Sequence, residues 1–284
     1  MLWKRARRSD NVVSGGSGGG RGGKGLTLGA VVLVVAFGLI TGQDPMQILG
    51  QLAGQLESPT TNSQRAPVAN DEQTDFVRAI LGDTEDTWRQ LFQQAGRQYQ
   101  DPTLVLFNAS VRSACGMASA ASGPFYCPAD RQVYLDVSFF RELARRYAAA
   151  GDFAQAYVIA HEVGHHVQTL LGVSAKVQAA RQRGERMEGD NGLLVRQELQ
   201  ADCLAGVWAH HAQQRLDWLE AGDLQEALQA ASAIGDDRLQ QQSRGQVMPD
   251  AFTHGTSAQR VRWFKLGFEQ GKVNQCDTFK AARL

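Results

Sequence analysis

From Asp71 onward the apolar residues of this chain recur mostly at helical spacing, with two short strand-like runs between them. The pattern predicts helices over 71–81 and 84–98, the second placing Trp88, Leu91, Phe92 and Ala95 on one face. A third is predicted over Ser138–Ala149, with Phe139, Phe140, Leu143 and Tyr147 as its apolar stripe. A longer helix is predicted from Asp152, at a cap position with Gln155 three residues on, to Leu171, where Gly172 stops it. Further helices are predicted at about 173–186, 191–215, 223–234 and 257–271. Thr103–Phe107 and Gln132–Asp136 read as strands. No internal repeat is visible, and the expected fold is mainly α with a small β-sheet (α+β).

Before residue 71 the pattern changes. Residues 1–24 are Gly-rich and basic, with Lys4, Arg5, Arg7, Arg8, Arg21 and Lys24 against only Asp10. Residues 25–43 carry no charge, and 26–40 are nearly all Val, Leu, Ala, Gly, Phe and Ile. Nineteen helical residues reach about 28 Å, close to the hydrocarbon thickness of a bilayer. The expectation is therefore a cytoplasmic tail over 1–24, a transmembrane anchor over 25–43, a flexible linker over 44–70 containing Pro45, Pro59 and Pro67, and a folded domain over 71–284. A cleaved signal peptide or a buried core helix is the alternative for 25–43. The expected location is the inner (cytoplasmic) membrane, single-pass, with the domain on the periplasmic side.

Net charge is zero over the whole chain, so the part beyond the basic segment is mildly acidic. No basic stripe remains there, which argues against a nucleic-acid partner. Cys115, Cys127, Cys203 and Cys276 all follow the apolar segment. An even count in an exported domain predicts two disulfides, with three possible pairings. Cys115 with Cys127 and Cys203 with Cys276 is the favoured set.

The chemistry concentrates in His161-Glu-Val-Gly-His165, an H-E-x-x-H motif on a predicted helix. Histidines four apart stack on one helix face and can reach a single Zn²⁺, while Glu162 sits beside them as a general base. A catalytic zinc needs a third protein ligand and an open position. A third histidine six residues on is absent, because residue 171 is Leu. Glu198 and Asp202, one turn apart on the predicted helix 191–215, supply the candidates. Glu198 would ligate, and Asp202 would accept a hydrogen bond from the free ring nitrogen of a ligating histidine. Tyr157, one turn before His161, reads as a core aromatic that could face the site. His166, His210 and His211 are expected to be solvated or at an interface, not ligands.

His161–His165 followed by Glu198-x-x-x-Asp202 resembles the ligand arrangement of gluzincin metallopeptidases. The wider chain resembles the bacterial neutral zinc metallopeptidase family through Cys115-Gly116, Gly123–Asp130, Val133-Tyr-Leu-Asp136 and His254–Arg260. The resemblance covers roughly residues 70–280 together with the basic, apolar N-terminus. It implies a zincin-like domain holding one Zn²⁺ and cleaving peptide bonds. It also implies that Val133, Tyr134 and Leu135 form the strand that binds substrate by β-augmentation. His254 is the candidate for stabilising the oxyanion, with a helix-capping or exposed-loop role as its alternative, and Arg260 is expected to orient a carboxylate. The leading expectation is a membrane-anchored zinc endopeptidase acting on peptides or proteins. The alternative is a catalytically weak envelope binding or assembly protein that retains the zinc site, and Glu162 favours the enzyme.

Overall fold

A computed structural model describes residues 1–15, 71–119, 123–147 and 149–284. Its elements are β1 (Val12–Ser14), α1 (Glu72–Gln94), β2 (Thr103–Phe107), β3 (Ser110–Ser113), β4 (Gly116–Ser119), β5 (Phe125–Cys127) and β6 (Gln132–Asp136). Seven helices follow: α2 (Ser138–Tyr147), α3 (Asp152–Leu170), α4 (Val173–Gln182), α5 (Leu193–Leu216), α6 (Asp223–Ala233), α7 (Asp236–Arg244) and α8 (Ser257–Gln270). The mainly helical α+β expectation holds.

The core forms where α3, α5 and α8 pack together. Phe153, Tyr157, Val163 and Val167 of α3 meet Leu199, Leu204 and Trp208 of α5 and Trp263 and Phe264 of α8, all buried. Each such side chain contributes about 1.5–3 kcal/mol on leaving water, so these helices fix the positions of everything they carry. α8 is set by a capping box, with Thr256 and Gln259 exchanging side-chain-to-backbone bonds.

The four-stranded sheet has the order β1-β2-β6-β5; β1, β2 and β6 run parallel, and β5 is antiparallel to β6. A separate hairpin pairs β3 with β4. β2 and β6 are the strands that the sequence predicts. β1, β5 and the hairpin are too short for an alternating pattern to declare itself, and α7 is polar enough to read as a loop.

Three expectations are corrected. Helices 71–81 and 84–98 are one helix, α1, because Gly82 lies in its interior at a point where another stretch of backbone crosses. Asp152 is the first residue of α3, not its cap; the cap is Gly151, and the Asp152 carboxylate accepts from the Met1 amino group at 2.9 Å. Residues 1–15 of the expected tail are not free but packed on the domain, with β1 in the sheet and Trp3 edge-on to Phe76 at 5.5 Å. Residues 25–43 and 44–70 lie outside the described residues. Among the described residues, no helix is long and apolar enough to cross a membrane.

The two disulfides follow the favoured pairing. Cys115–Cys127 joins the β3–β4 turn to the end of β5, and Cys203–Cys276 joins α5 to the C-terminal segment.

Candidate metal centre

α3 runs through the core with His161 and His165 on the side that faces α5 and Glu162 on the adjoining cleft wall. The two helices approach closely because residue 164 is glycine: a Cβ there would lie 2.9 Å from the Ala201 carbonyl oxygen and 3.1 Å from its Cα. That approach brings Glu198 to the histidines. Its Oε2 is 3.2 Å from His161 Nε2 and 3.5 Å from His165 Nε2. The imidazoles are nearly perpendicular, at 89°, with centroids 4.8 Å apart.

The remaining ring nitrogens are both engaged. His161 Nδ1 donates to Asp202 Oδ1 at 2.8 Å, and His165 Nδ1 donates to Gln168 Oε1 at 2.9 Å. Buried Gln168 is itself held by donating to the Gln197 carbonyl and to Gln200 Oε1. With Nδ1 as donor, each neutral imidazole presents a lone pair at Nε2. Two lone pairs and a carboxylate oxygen then converge, an arrangement that calls for a cation. Donors about 2.1 Å from one zinc at tetrahedral angles lie about 3.4 Å apart, in line with these separations. His161, His165 and Glu198 therefore fit a zinc ion with one position left for solvent or substrate.

The charges around the centre are buried and balanced. Burial would push Asp202 up, but Arg260 and His161 outweigh it and hold the carboxyl at about 2. Arg260, 2 % exposed, gives Nε to Asp202 Oδ2 at 2.8 Å and Nη2 to Oδ1 at 2.9 Å. Tyr157 donates its hydroxyl to the same Oδ1 at 2.5 Å, and burial raises its pKa well above the usual tyrosine range. Burial disfavours a charged His161, yet Asp202 and Glu198 raise its pKa to about 10 in the metal-free protein. His165 is raised in the same sense by Glu198 against burial. Glu198 is held well below the normal glutamate range, the two histidines overcoming its burial.

These side chains open onto a cleft of about 500 Å³, walled by Glu162, Phe139, Val158, Leu239, His254 and the stretch Gly123–Tyr126 that leads into β5. His254 sits in its wall; the backbone N–H groups of Thr253, His254 and Gly255 all donate to Asp236 Oδ2. Its Nδ1 lies 2.8 Å from Thr253 Oγ1 and 3.4 Å from Asp236 Oδ1, and Asp236 raises its pKa against the effect of burial.

Val133, Tyr134 and Leu135 do not serve as the substrate strand. β6 lies between β2 and β5, with Val133 opposite Leu104 and Tyr126, so both of its edges are already paired. Val133 and Leu135 are core residues, and Tyr134 stacks on Phe125 at 4.8 Å. The edge beside α3 belongs to β5. His166 is also not solvated: it is fully buried and lies 2.6 Å from the Gln100 carbonyl through Nε2 and 3.1 Å from the Tyr126 hydroxyl through Nδ1. Burial lowers its pKa to about 4 and keeps it neutral. His210 and His211 bond the Phe268 and Gly271 carbonyls at the end of α8, away from the centre.

Sequence reasoning missed Gln168, Asp236 and β5. Gln168 lies one turn after His165 and was findable from helical spacing; Asp236 and β5 reach the site only through tertiary packing.

Residues 1–279 match the model of the family described as "Putative neutral zinc metallopeptidase", and the chain belongs to that family. It is 50% identical over 286 aligned residues to the uncharacterized protein YpfJ of Escherichia coli K12, covering 98% of this chain and 99% of that one. It is 47% identical over 196 residues to the uncharacterized proteins Mb2605 of Mycobacterium bovis and Rv2575 of Mycobacterium tuberculosis, covering 66% of this chain and 65% of each of those. No solved structure matches.

Proposed function

We propose that this protein is a zinc-dependent endopeptidase acting on extended segments of peptides or unfolded proteins. The observation that carries the reading is the convergence of His161 Nε2, His165 Nε2 and Glu198 Oε2 at the floor of an open cleft that Glu162 also lines. A purely structural zinc site is closed by four protein ligands and has no need of a neighbouring base.

A bound zinc supplies Lewis acidity and makes a water molecule acidic enough to attack near neutral pH. Glu162 takes the proton from the attacking water and returns it to the leaving amine. His254, oriented by Asp236, donates to the oxygen on which negative charge develops. Asp202 fixes the His161 ring, and Gln168 fixes that of His165. β5 offers the edge it does not share with β6 to the substrate backbone, and the apolar wall of Phe139, Val158 and Leu239 receives a hydrophobic side chain. The two disulfides support work in an oxidising, extracytoplasmic compartment, and the apolar stretch 25–43 supports a membrane partner.

Purified protein and Glu162→Gln are incubated with an unfolded protein, and fragments and metal content are measured. The reading predicts one zinc per chain in both and cleavage about 10²–10⁴-fold slower in the variant. Zinc-loaded wild-type protein that cleaves nothing across a broad peptide library would transfer the case to a binding role.

A further inference from the structure

The basic residues at the start of the chain read from sequence as a signal holding the N-terminus in the cytoplasm. The structure gives four of them another use. Lys4 pairs with Glu72 at 3.6 Å, Arg8 Nη2 with Asp75 at 2.7 Å, and Arg7 Nη2 with Glu85 at 2.6 Å and Asp86 at 3.0 Å. Arg5 donates to the Leu216 and Asp217 carbonyls at the C-terminal end of α5. Three of the four thus complement acidic positions spaced along α1.

The docking is buried as well as electrostatic. Glu85 has a fully buried side chain, and its carboxylate accepts from Arg7, from Ser9 Oγ at 2.6 Å and from Asn11 Nδ2 at 2.8 Å. Among the described residues its one other ion-pair contact is Arg89 at 3.7 Å. Residues 7–11 thus supply most of the partners of a carboxylate held out of water, where an unpaired charge is strongly disfavoured. Gly82 records the same contact: the Arg7 carbonyl passes so close that a Cβ has no room. β1 then adds to the sheet in register with β2, Val12 opposite Leu104 and Ser14 opposite Leu106. Ser14 and Gly15, where the described chain breaks off, and Asp71, where it resumes, line one cleft with Gln73 and Val137.

We propose that residues 1–15 and 71–284 are one folded body on one side of the membrane, so that the apolar stretch between them does not separate them as a single crossing would. A helix that crosses once leaves its two flanks in different compartments, where β1 could not pair with β2 nor Arg7 with Glu85. The proposal rests on the docking of the N-terminal segment and needs no peptidase activity.

The full chain is expressed in Escherichia coli with a single added cysteine, Asp10→Cys or Glu188→Cys, both at exposed positions. The four native cysteines are held in disulfides and do not compete. Spheroplasts are treated with a membrane-impermeant maleimide before and after permeabilisation. A shared side predicts that the two positions behave alike, both labelled in intact spheroplasts or both labelled only after permeabilisation. One labelled in intact spheroplasts and the other only after permeabilisation overturns the proposal. Lys4→Cys and Lys280→Cys repeat the comparison at independent exposed sites, so that misfolding of one variant does not decide the outcome.

Discussion

Asp202→Asn tests how the metal centre is supported. The carboxylate receives four hydrogen bonds: from His161 and Tyr157 on Oδ1, and from Arg260 on both oxygens. An amide has one acceptor oxygen and a donating NH₂. With its oxygen at the Oδ1 position, the NH₂ faces Arg260 Nε; flipped, it faces the His161 N–H and the Tyr157 hydroxyl. In both orientations the buried Arg260 guanidinium loses its counter-charge, which costs about 3–5 kcal/mol. His161 also loses its charged partner, and loss of such an outer partner weakens metal binding about 10–100-fold. The two effects separate in Asp202→Asn/Arg260→Met. Removing both charges restores most of the stability, since a buried pair can be exchanged for apolar side chains at little net cost. It does nothing for His161, so zinc affinity stays low. Urea unfolding of the chelator-stripped proteins measures the first effect, and competition with a chelating dye measures the second. If both variants bind zinc as tightly as the wild type, Asp202 does not support the ligand. If the double variant is as unstable as the single, the charge argument fails.

Further outcomes follow from the same geometry. In the metal-free protein Asp202 and Glu198 raise His161 to about 10, so it holds a proton at neutral pH that zinc must displace, and Glu198 raises His165 in the same sense. Zinc affinity should therefore fall as pH is lowered, and a calorimetric binding enthalpy at pH 7 that did not vary with the buffer's ionisation enthalpy would contradict this. The stabilisation that His161 gives the metal-free fold has the opposite course: full below its unfolded value near 6.5, it is lost as pH rises through about 10. Replacing Cys203 and Cys276 by Ala opens a loop spanning 73 residues in sequence, worth about 4 kcal/mol, and should lower the Tm by roughly 8–16 °C in a calorimetric scan. Gly164→Ala should cost about 1–3 kcal/mol through overpacking against Ala201 and also weaken zinc binding, because Glu198 sits one turn before that contact. A variant with wild-type zinc affinity would show that the helix approach does not set the ligand position.

The legible part of the fold was the part with local causes. His161, Glu162 and His165 share a helix face by spacing alone, and Glu198 and Asp202 do the same on α5. What spacing does not give is the approach of α3 to α5 through Gly164, which turns two helical motifs into one cluster. β2 and β6 are long enough to be seen. β5 has three residues and no visible alternation, so the paired strand β6 was taken for the edge that β5 occupies. Gly82 read as a break between helices because its reason, the backbone of Arg7 crossing α1, lies some seventy residues away in sequence. For the same reason Arg7 and Arg8 read as a tail: their partners Glu85, Asp86 and Asp75 are on α1, and charge counting along the chain does not reveal a pairing across it.

The metal centre, the cleft and the chemistry assigned to Glu162 all depend on one zinc ion held by His161, His165 and Glu198. The most direct test is an anomalous difference map, collected at the zinc absorption edge, from crystals of the zinc-loaded Glu162→Gln variant. The expected result is a single strong peak within about 2.0–2.2 Å of His161 Nε2, His165 Nε2 and a Glu198 carboxylate oxygen, with no fourth protein ligand. A peak elsewhere, or one at these histidines with Glu198 turned away, would contradict it.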